Sequence, residues 1–348
     1  GGIIFSVHSD GTGFQVLRHL NLATDGAYPQ GRLILAGNVL YGANSSGGTH
    51  GNGTLFSMNT DGTGFQVLRH FSATTDGANP RGELMLAGPV LYGVNYRGGT
   101  NQFGTLFSMN INGTGFRVLR NFGSVSPALD GAYPIGGLTL VGNVLFGANS
   151  SGGTDGYGLL FSVDTLGGNF QVLRQFNSAT EGNAPHGRLA LASNVLYGAT
   201  DSGGTNGGFG TLFSMNTDGT GFRVLRHLNR DTDGAYFQGG LTLAGNVIYG
   251  AARDVYNHAL GSIFRFDPSL LAFITADPVS LVAGLSGAAV FSVTATGQNL
   301  SYQWYFNGAP IVSATNATLT LPHVKATNVG SYSVSVSNAN NTVDRKSV

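Results

Sequence analysis

The sequence predicts an all-β chain: a β-propeller over residues 1–268, five four-stranded blades being the simplest count, and then a separate β-sandwich over residues 277–348. Three observations carry this expectation. A block of about 51 residues recurs through the first 268 positions. Each block holds four segments of strand length, rich in β-branched, Leu and aromatic residues. No segment shows a helical period, and four strands per 40–50 residues is the pattern of a propeller blade.

The repeat is read from three motifs. Phe-Gln/Arg-Val-Leu-Arg ends at Arg18, Arg69, Arg120, Arg174 and Arg226. Leu/Ile-Phe-Ser-Met/Val places Phe5, Phe56, Phe107, Phe161 and Phe213, with Phe264 as a diverged sixth copy. Leu-Tyr-Gly-Ala-Asn recurs around Tyr41, Tyr92, Phe146, Tyr197 and Tyr249. In the second repeat the strand segments are 83–86, 90–94, 105–109 and 116–119. Ala-Gly-Asn or Ala-Gly-Pro joins the first two as a hairpin turn, and Asp-Gly-Thr-Gly, at Asp10, Asp61 and Asp218, joins the last two. The remaining connections are long and rich in Gly, Asn, Ser and Thr, so one face is plain and the other elaborated. The count of strands leaves one surplus third strand. Closing the ring by pairing the hairpin 3–17 with the last hairpin, 241–251, is the expected solution, because an open ring exposes sheet edges.

Composition narrows the function classes. The 348 residues carry 17 Lys+Arg and 17 Asp+Glu, so the formal net charge is zero. Nucleic acid and anionic membranes require a basic surface and are not expected partners. Only 10% of residues are charged while 56 are glycine, a balance suited to an extracellular β-protein. There is no cysteine, which removes disulfides and thiolate sites. No apolar run is long enough for a transmembrane helix, and the first residues read as mature or truncated sequence.

The repeats resemble the GloVer tandem repeats of bacterial surface proteins. The resemblance rests on Leu-Tyr-Gly-Ala-Asn, on Gly-Gly-Thr…Gly-Thr-Leu-Phe-Ser and on Asp-Gly-Ala-Tyr-Pro. It implies a propeller-like protein secreted from, or displayed on, a bacterial cell, and it carries no catalytic residue over. After residue 277 the chain resembles a bacterial immunoglobulin-like domain. Trp304 matches its core tryptophan, and Tyr332 matches the tyrosine-corner position. Val334 and Phe291 stand where such domains place a disulfide.

Candidate chemistry lies where the repeat breaks or converges. Asp25, Asp76, Asp130, Glu181 and Asp233 occupy one loop position. They are read as turn residues, or as a ring of carboxylates able to accept sugar hydroxyls or bind calcium weakly; no other cofactor is expected. Tyr28, Tyr133 and Tyr236 follow in the same loops. Glu83 breaks a position held elsewhere by Arg32, Gly137, Arg188 and Gly240; two residues earlier stand Gln30, Arg81, Ile135, His186 and Gln238. These positions are expected to rim the central channel. Asp254 and His258 lie in a last loop that departs from the repeat.

The expected function is binding or adhesion, with an extracellular polysaccharide or another polymer held on the loop-rich face. Several weak, near-equivalent sites would gain avidity on one polymer. A polymer-degrading hydrolase or lyase using Glu83, His186 and Arg188 is the alternative, and a purely structural repeat protein the third reading. The chain is expected to be a monomer, alone or within a longer anchored chain.

Overall fold

The computed structural model describes residues 1–123, 127–253 and 261–347. Strand accounts for 52% and helix for 3%. The chain divides into two compact units, the first comprising Gly1–Ala244 and Tyr249–Arg265, the second Gly245–Ile248 and Phe266–Val348.

The first unit is a series of small antiparallel sheets in register with the sequence repeat. Repeat one forms a four-stranded sheet in the order Ala27–Ala36, Val39–Ser46, Thr54–Asn59, Gln66–His70. Repeat four does the same with Asn183–Ala192, Val195–Ser202, Thr211–Asn216 and Arg223–His227. In repeats two and three the first strand is split. Ala78–Pro80 and Met85–Ala87 share one place beside Val90–Arg97, and Ala132–Pro134 and Thr139–Val141 share one beside Val144–Ser151. In repeats one and four the same place carries a register shift, between Gln30 and Ile34 and between His186 and Ala190. The first strand is therefore longer than the sequence suggests, and it is interrupted where Arg32, Glu83 and Arg188 stand. A bulge or break frees those side chains from the alternation of the ladder.

The ends differ from the expected closure. Ile3–Ser6 and Gln15–His19 form a two-stranded sheet of their own, and the last sheet is Thr242–Ala244, Val247–Ala252 and Ser262–Phe266. The surplus third strand thus occupies the place on Val247–Ala252 that the N-terminal hairpin was expected to take.

Sheet stacking explains why the third strand is apolar on both faces. Leu55, Phe56 and Met58 are all buried, although neighbouring residues of a strand point to opposite sides. Leu55 packs with Leu84, Leu91 and Phe107 of the next repeat, and Phe56 with Ile4, Leu17 and Leu20 of the preceding hairpin. Equivalent clusters join repeats two and three and repeats three and four. The glycine of Leu-Tyr-Gly admits this ring. A side chain at Gly42, Gly93, Gly147 or Gly198 would collide with Phe56, Phe107, Phe161 or Phe213, respectively. The third and fourth strands share one register shift in every copy, as between Leu55 and Phe56 or Leu106 and Phe107. This bulge re-aims the arginine that ends the fourth strand.

The second unit holds a four-stranded sheet, Ala309–Pro310, Ser301–Phe306, Tyr332–Ser337 and Thr342–Ser347, and two two-stranded ones. Phe273–Ala276, which the sequence reading leaves between domains, pairs with Thr294–Thr296. Trp304 is fully buried, and its Nε1 donates to the Asn316 carbonyl at 2.9 Å. It lies opposite Val334 in the ladder and shares a core with Phe291 and Tyr332. The Tyr332 hydroxyl donates to the Asn328 carbonyl at 2.9 Å, tying the strand back to the preceding turn. Among the described residues no helix is long and apolar enough to cross a membrane.

Candidate functional site

The five loop carboxylates are each engaged by an arginine of their own repeat. Arg18 meets Asp25 at 2.7 Å, Arg69 meets Asp76 at 2.7 Å, Arg120 meets Asp130 at 2.8 Å and Arg226 meets Asp233 at 2.7 Å. Arg174 pairs with Glu181 in the same way. Backbone N–H groups complete the acceptors: Asn21 donates to Asp25, Ser72 to Asp76 and Gly123 to Asp130. Burial pushes the Asp25 carboxyl up, but Arg18, the Asn21 N–H and the Thr24 hydroxyl together hold it below the ordinary carboxylate range. Four of the five guanidinium groups also lie on a phenylalanine of the next repeat. Arg18 is 3.8 Å from the Phe65 ring centroid, Arg69 4.3 Å from Phe116, Arg120 3.6 Å from Phe170 and Arg174 4.3 Å from Phe222. A sugar or a calcium ion using these carboxylates would first have to break an internal ion pair. Among the described residues no three His, Cys, Asp or Glu gather as a metal site.

Three residues beyond each carboxylate the backbone is left-handed: φ is 56° at Tyr28, 55° at Asn79, 58° at Tyr133, 50° at Ala184 and 59° at Tyr236. Such a φ is disfavoured for residues bearing a Cβ. It is held because the turned N–H docks on the preceding repeat: Asn79 donates to Asn52, Tyr133 to Phe103 and Ala184 to Tyr157. Tyr28 is exposed, whereas the Tyr133 ring packs on Tyr96 at 5.2 Å and on Phe103 at 5.9 Å. The tyrosines are thus fixed by the turn, not gathered at one point. Arg81 is exposed, its guanidinium 4.5 Å from the Tyr96 ring centroid.

Arg32, Glu83 and Arg188 do come together. They line one cavity of about 350 Å³, with Thr139 and Leu140 of repeat three, Leu189 to Leu191 of repeat four and Gly240 to Leu243 of repeat five. All five repeats contribute to it. The volume is at the lower end of the ~300–1,000 Å³ range of small-molecule sites. The glycine before each of these positions lets the repeats approach: a side chain at Gly82 would strike the Gly136 carbonyl, one at Gly136 that of Gly187, and one at Gly187 that of Gly239. At Gly137 a Cβ would stand 2.9 Å from the Glu83 Cβ and 3.2 Å from the Arg188 Cβ. Its absence leaves the space between these two ionisable side chains empty. Among the described residues neither of their side chains nor that of Arg32 has a hydrogen-bond or ion-pair partner, in contrast to the five paired arginines.

His186 stands apart from that lining. Its Nδ1–H donates to the Ala184 carbonyl at 3.0 Å, which leaves Nε2 as the basic nitrogen. Burial pushes the imidazole below its ordinary pKa, against the opposing charge of Asp201. Burial likewise pushes the Asp201 carboxyl up, against His186, Gln238 and Arg253. Asp201 escaped the sequence reading, although it too breaks a repeat, standing where Ser45, Tyr96 and Ser150 stand in the other copies. Asp254 and His258 lie outside the described residues.

With the geometry in place, comparison with known proteins places the chain. Residues 1–207 and 124–299 match the Gloeobacter/Verrucomicrobia repeat. The chain belongs to that repeat family. No curated protein matches it. Among solved structures, a titin I-band fragment is similar at 23% identity over 22% of this chain and 31% of its own, with a TM-score of 0.21. The extracellular domain of a one-component system from B. thetaiotaomicron is similar at 11% identity over 99% of this chain and 46% of its own, with a TM-score of 0.46. An oligogalacturonate lyase in complex with manganese shows 9% identity over 76% of this chain and 67% of its own, with a TM-score of 0.47. This repeat-family chain therefore spans less than half the length of the first two, and at such scores none of the three bears on its activity.

Proposed function

We propose that this chain is an extracellular binding module of a bacterial cell, secreted or surface-displayed, that holds a glycan or another extracellular polymer in the cavity lined by Arg32, Glu83 and Arg188. The supporting observation is the contrast in pairing. The chain satisfies the five arginines of its frame, but two arginines and a glutamate in one cavity have no side-chain partner among the described residues. In this reading the repeats are blades of a propeller, their first strands surround its axis, and the cavity is the channel mouth. The second unit is read as an immunoglobulin-like spacer, on the grounds of its buried Trp304 and the Tyr332–Asn328 hydrogen bond. The test is a glycan array with neutral and acidic polysaccharides, followed by calorimetry on the hits. Binding that weakens in Arg32→Gln and Arg188→Gln supports the module; absence of binding across the array removes it and leaves a structural role.

One observation favours a second reading, a hydrolase or lyase. His186 carries a free basic Nε2 beside the desolvated Asp201, an arrangement suited to proton transfer. Against it, Glu83 is the single carboxylate lining the cavity among the described residues, and glycoside hydrolysis ordinarily employs two. A polymer-degradation assay decides the matter: turnover that falls at least ~100-fold in Glu83→Gln and in His186→Ala supports an enzyme, and no turnover by the wild type removes that reading.

A further inference from the structure

The charge and shape of the cavity narrow the ligand. Arg32 comes from repeat one and Arg188 from repeat four, so two guanidinium groups serve one space. Glu83 balances one of them and leaves a single excess positive charge. The rest of the wall comes from first-strand residues of repeats three to five, whose leucines Leu140, Leu189 and Leu191 pack into the cores between the sheets. Like charges that share one space repel, and an incoming anion relieves that repulsion. Guanidinium groups take carboxylates through paired N–H donors. Gly137 and Gly240, either side of Arg188, leave room for the incoming group; at Gly240 a Cβ would lie 3.6 Å from that of Arg188. Glu83 works in the opposite sense. It repels a second negative charge and, as an acceptor, suits hydroxyl donors.

We infer that the cavity between Arg32, Glu83 and Arg188 selects a singly charged carboxylate carried on a hydroxyl-rich ring, that is, a uronate residue of an acidic polysaccharide. The inference rests on the binding-module reading above. Two arginines receive the carboxylate, and Glu83 accepts ring hydroxyls.

Calorimetry on the full chain with a uronate trisaccharide and with its methyl ester tests the inference. The acid is expected to bind at least ~10-fold more tightly than the ester, and Arg32→Gln and Arg188→Gln each to weaken the acid by about 10- to 100-fold and the ester by less. Glu83→Gln is expected to admit inorganic phosphate, which the wild type rejects. Equal binding of acid and ester, insensitive to both arginines, overturns the carboxylate inference and leaves the binding module standing. Failure of every glycan, neutral or acidic, overturns both. Polyglutamate binding as tightly as the trisaccharide, with the same arginine dependence, overturns the sugar half. Because Arg32 is exposed, Arg32→Gln serves as the test variant should Arg188→Gln fail to fold.

Discussion

Arg69 meets three demands with one side chain. It ends a strand, it neutralises the buried Asp76, and it lies flat on Phe116 of the next repeat. Removing its partner leaves a half-buried guanidinium and the Ser72 N–H without their acceptor. Asp76→Ala is therefore expected to cost about 2–4 kcal/mol, below a fully buried pair because Arg69 is in part solvated; urea unfolding of both proteins side by side measures it. Asp25 adds a pH dependence. Its carboxyl is held below its unfolded value of about 3.9, so the stabilisation is complete above that pH and is lost as pH falls through the lower folded value. The stability gap between wild type and Asp25→Asn should narrow below about pH 4 and be flat from pH 5 to 7. A gap that persists unchanged at pH 2.5 would show that Asp25 contributes nothing through its charge. Much of this was readable in the sequence. Arg and acid stand seven residues apart at Arg18–Asp25, Arg69–Asp76, Arg174–Glu181 and Arg226–Asp233. What the spacing hides is the bulge that turns the arginine toward the acid, and so the carboxylates read equally well as an open ring. Glu83 and Arg188 were legible because they vary where the frame does not, whereas Asp201 matters through the desolvation of its neighbours, which spacing does not encode.

At the scale of the element, the first strand sets how closely adjacent repeats approach. Gly136 has an ordinary φ, so alanine there meets no backbone penalty, yet its methyl would strike the Gly187 carbonyl. Gly239 holds the equivalent place in repeat five with nothing within 4 Å. Gly136→Ala is expected to destabilise by about 1–3 kcal/mol through overpacking, and Gly239→Ala to be neutral or stabilising by up to ~1 kcal/mol. Thermal unfolding of both variants separates steric contact from generic glycine entropy: equal shifts would mean the repeats do not abut there. The left-handed turn offers a second contrast. Tyr28 is exposed and strained, so Tyr28→Gly should be neutral or stabilising; Tyr133→Gly should destabilise by at least ~1 kcal/mol because that ring packs on Tyr96 and Phe103. Strand positions two to four of each repeat were visible as apolar runs between turn signals. The first strand was not fully visible, because Gly-Ala-Tyr-Pro reads as a turn and joins the sheet only through contacts with the preceding repeat.

At the scale of the whole molecule, Ser262–Phe266 fills the last place, beside Val247–Ala252. The third-strand phenylalanine is at most 1% exposed at Phe56, Phe107, Phe161 and Phe213 but 52% exposed at Phe5. Ile263 is 85% exposed, where its counterparts Leu55, Leu106, Leu160 and Leu212 are at most 1%. The glycine that faces each buried ring explains the difference. Gly250 of the last repeat faces Phe264, and among the described residues no glycine faces Phe5 in this way. Closure by this N-terminal hairpin on Val247–Ala252 would require Phe5 to displace Phe264. With Phe264 in place, Phe5→Ala removes a half-solvated ring and is expected to cost less than ~1 kcal/mol, against about 3–5 kcal/mol for Phe107→Ala in the stacked interior. Phe264→Ala should then fall between them, since its ring is in part exposed. The opposite order, with Phe5→Ala as costly as Phe107→Ala and Phe264→Ala nearly free, would show that in solution the hairpin occupies Gly250 and the ring is closed as the repeat count suggests. Urea unfolding of the three single variants, read with the double variant of Phe5 and Phe264, distinguishes the two arrangements: strands competing for one position give strongly non-additive costs, and strands in separate positions give additive ones.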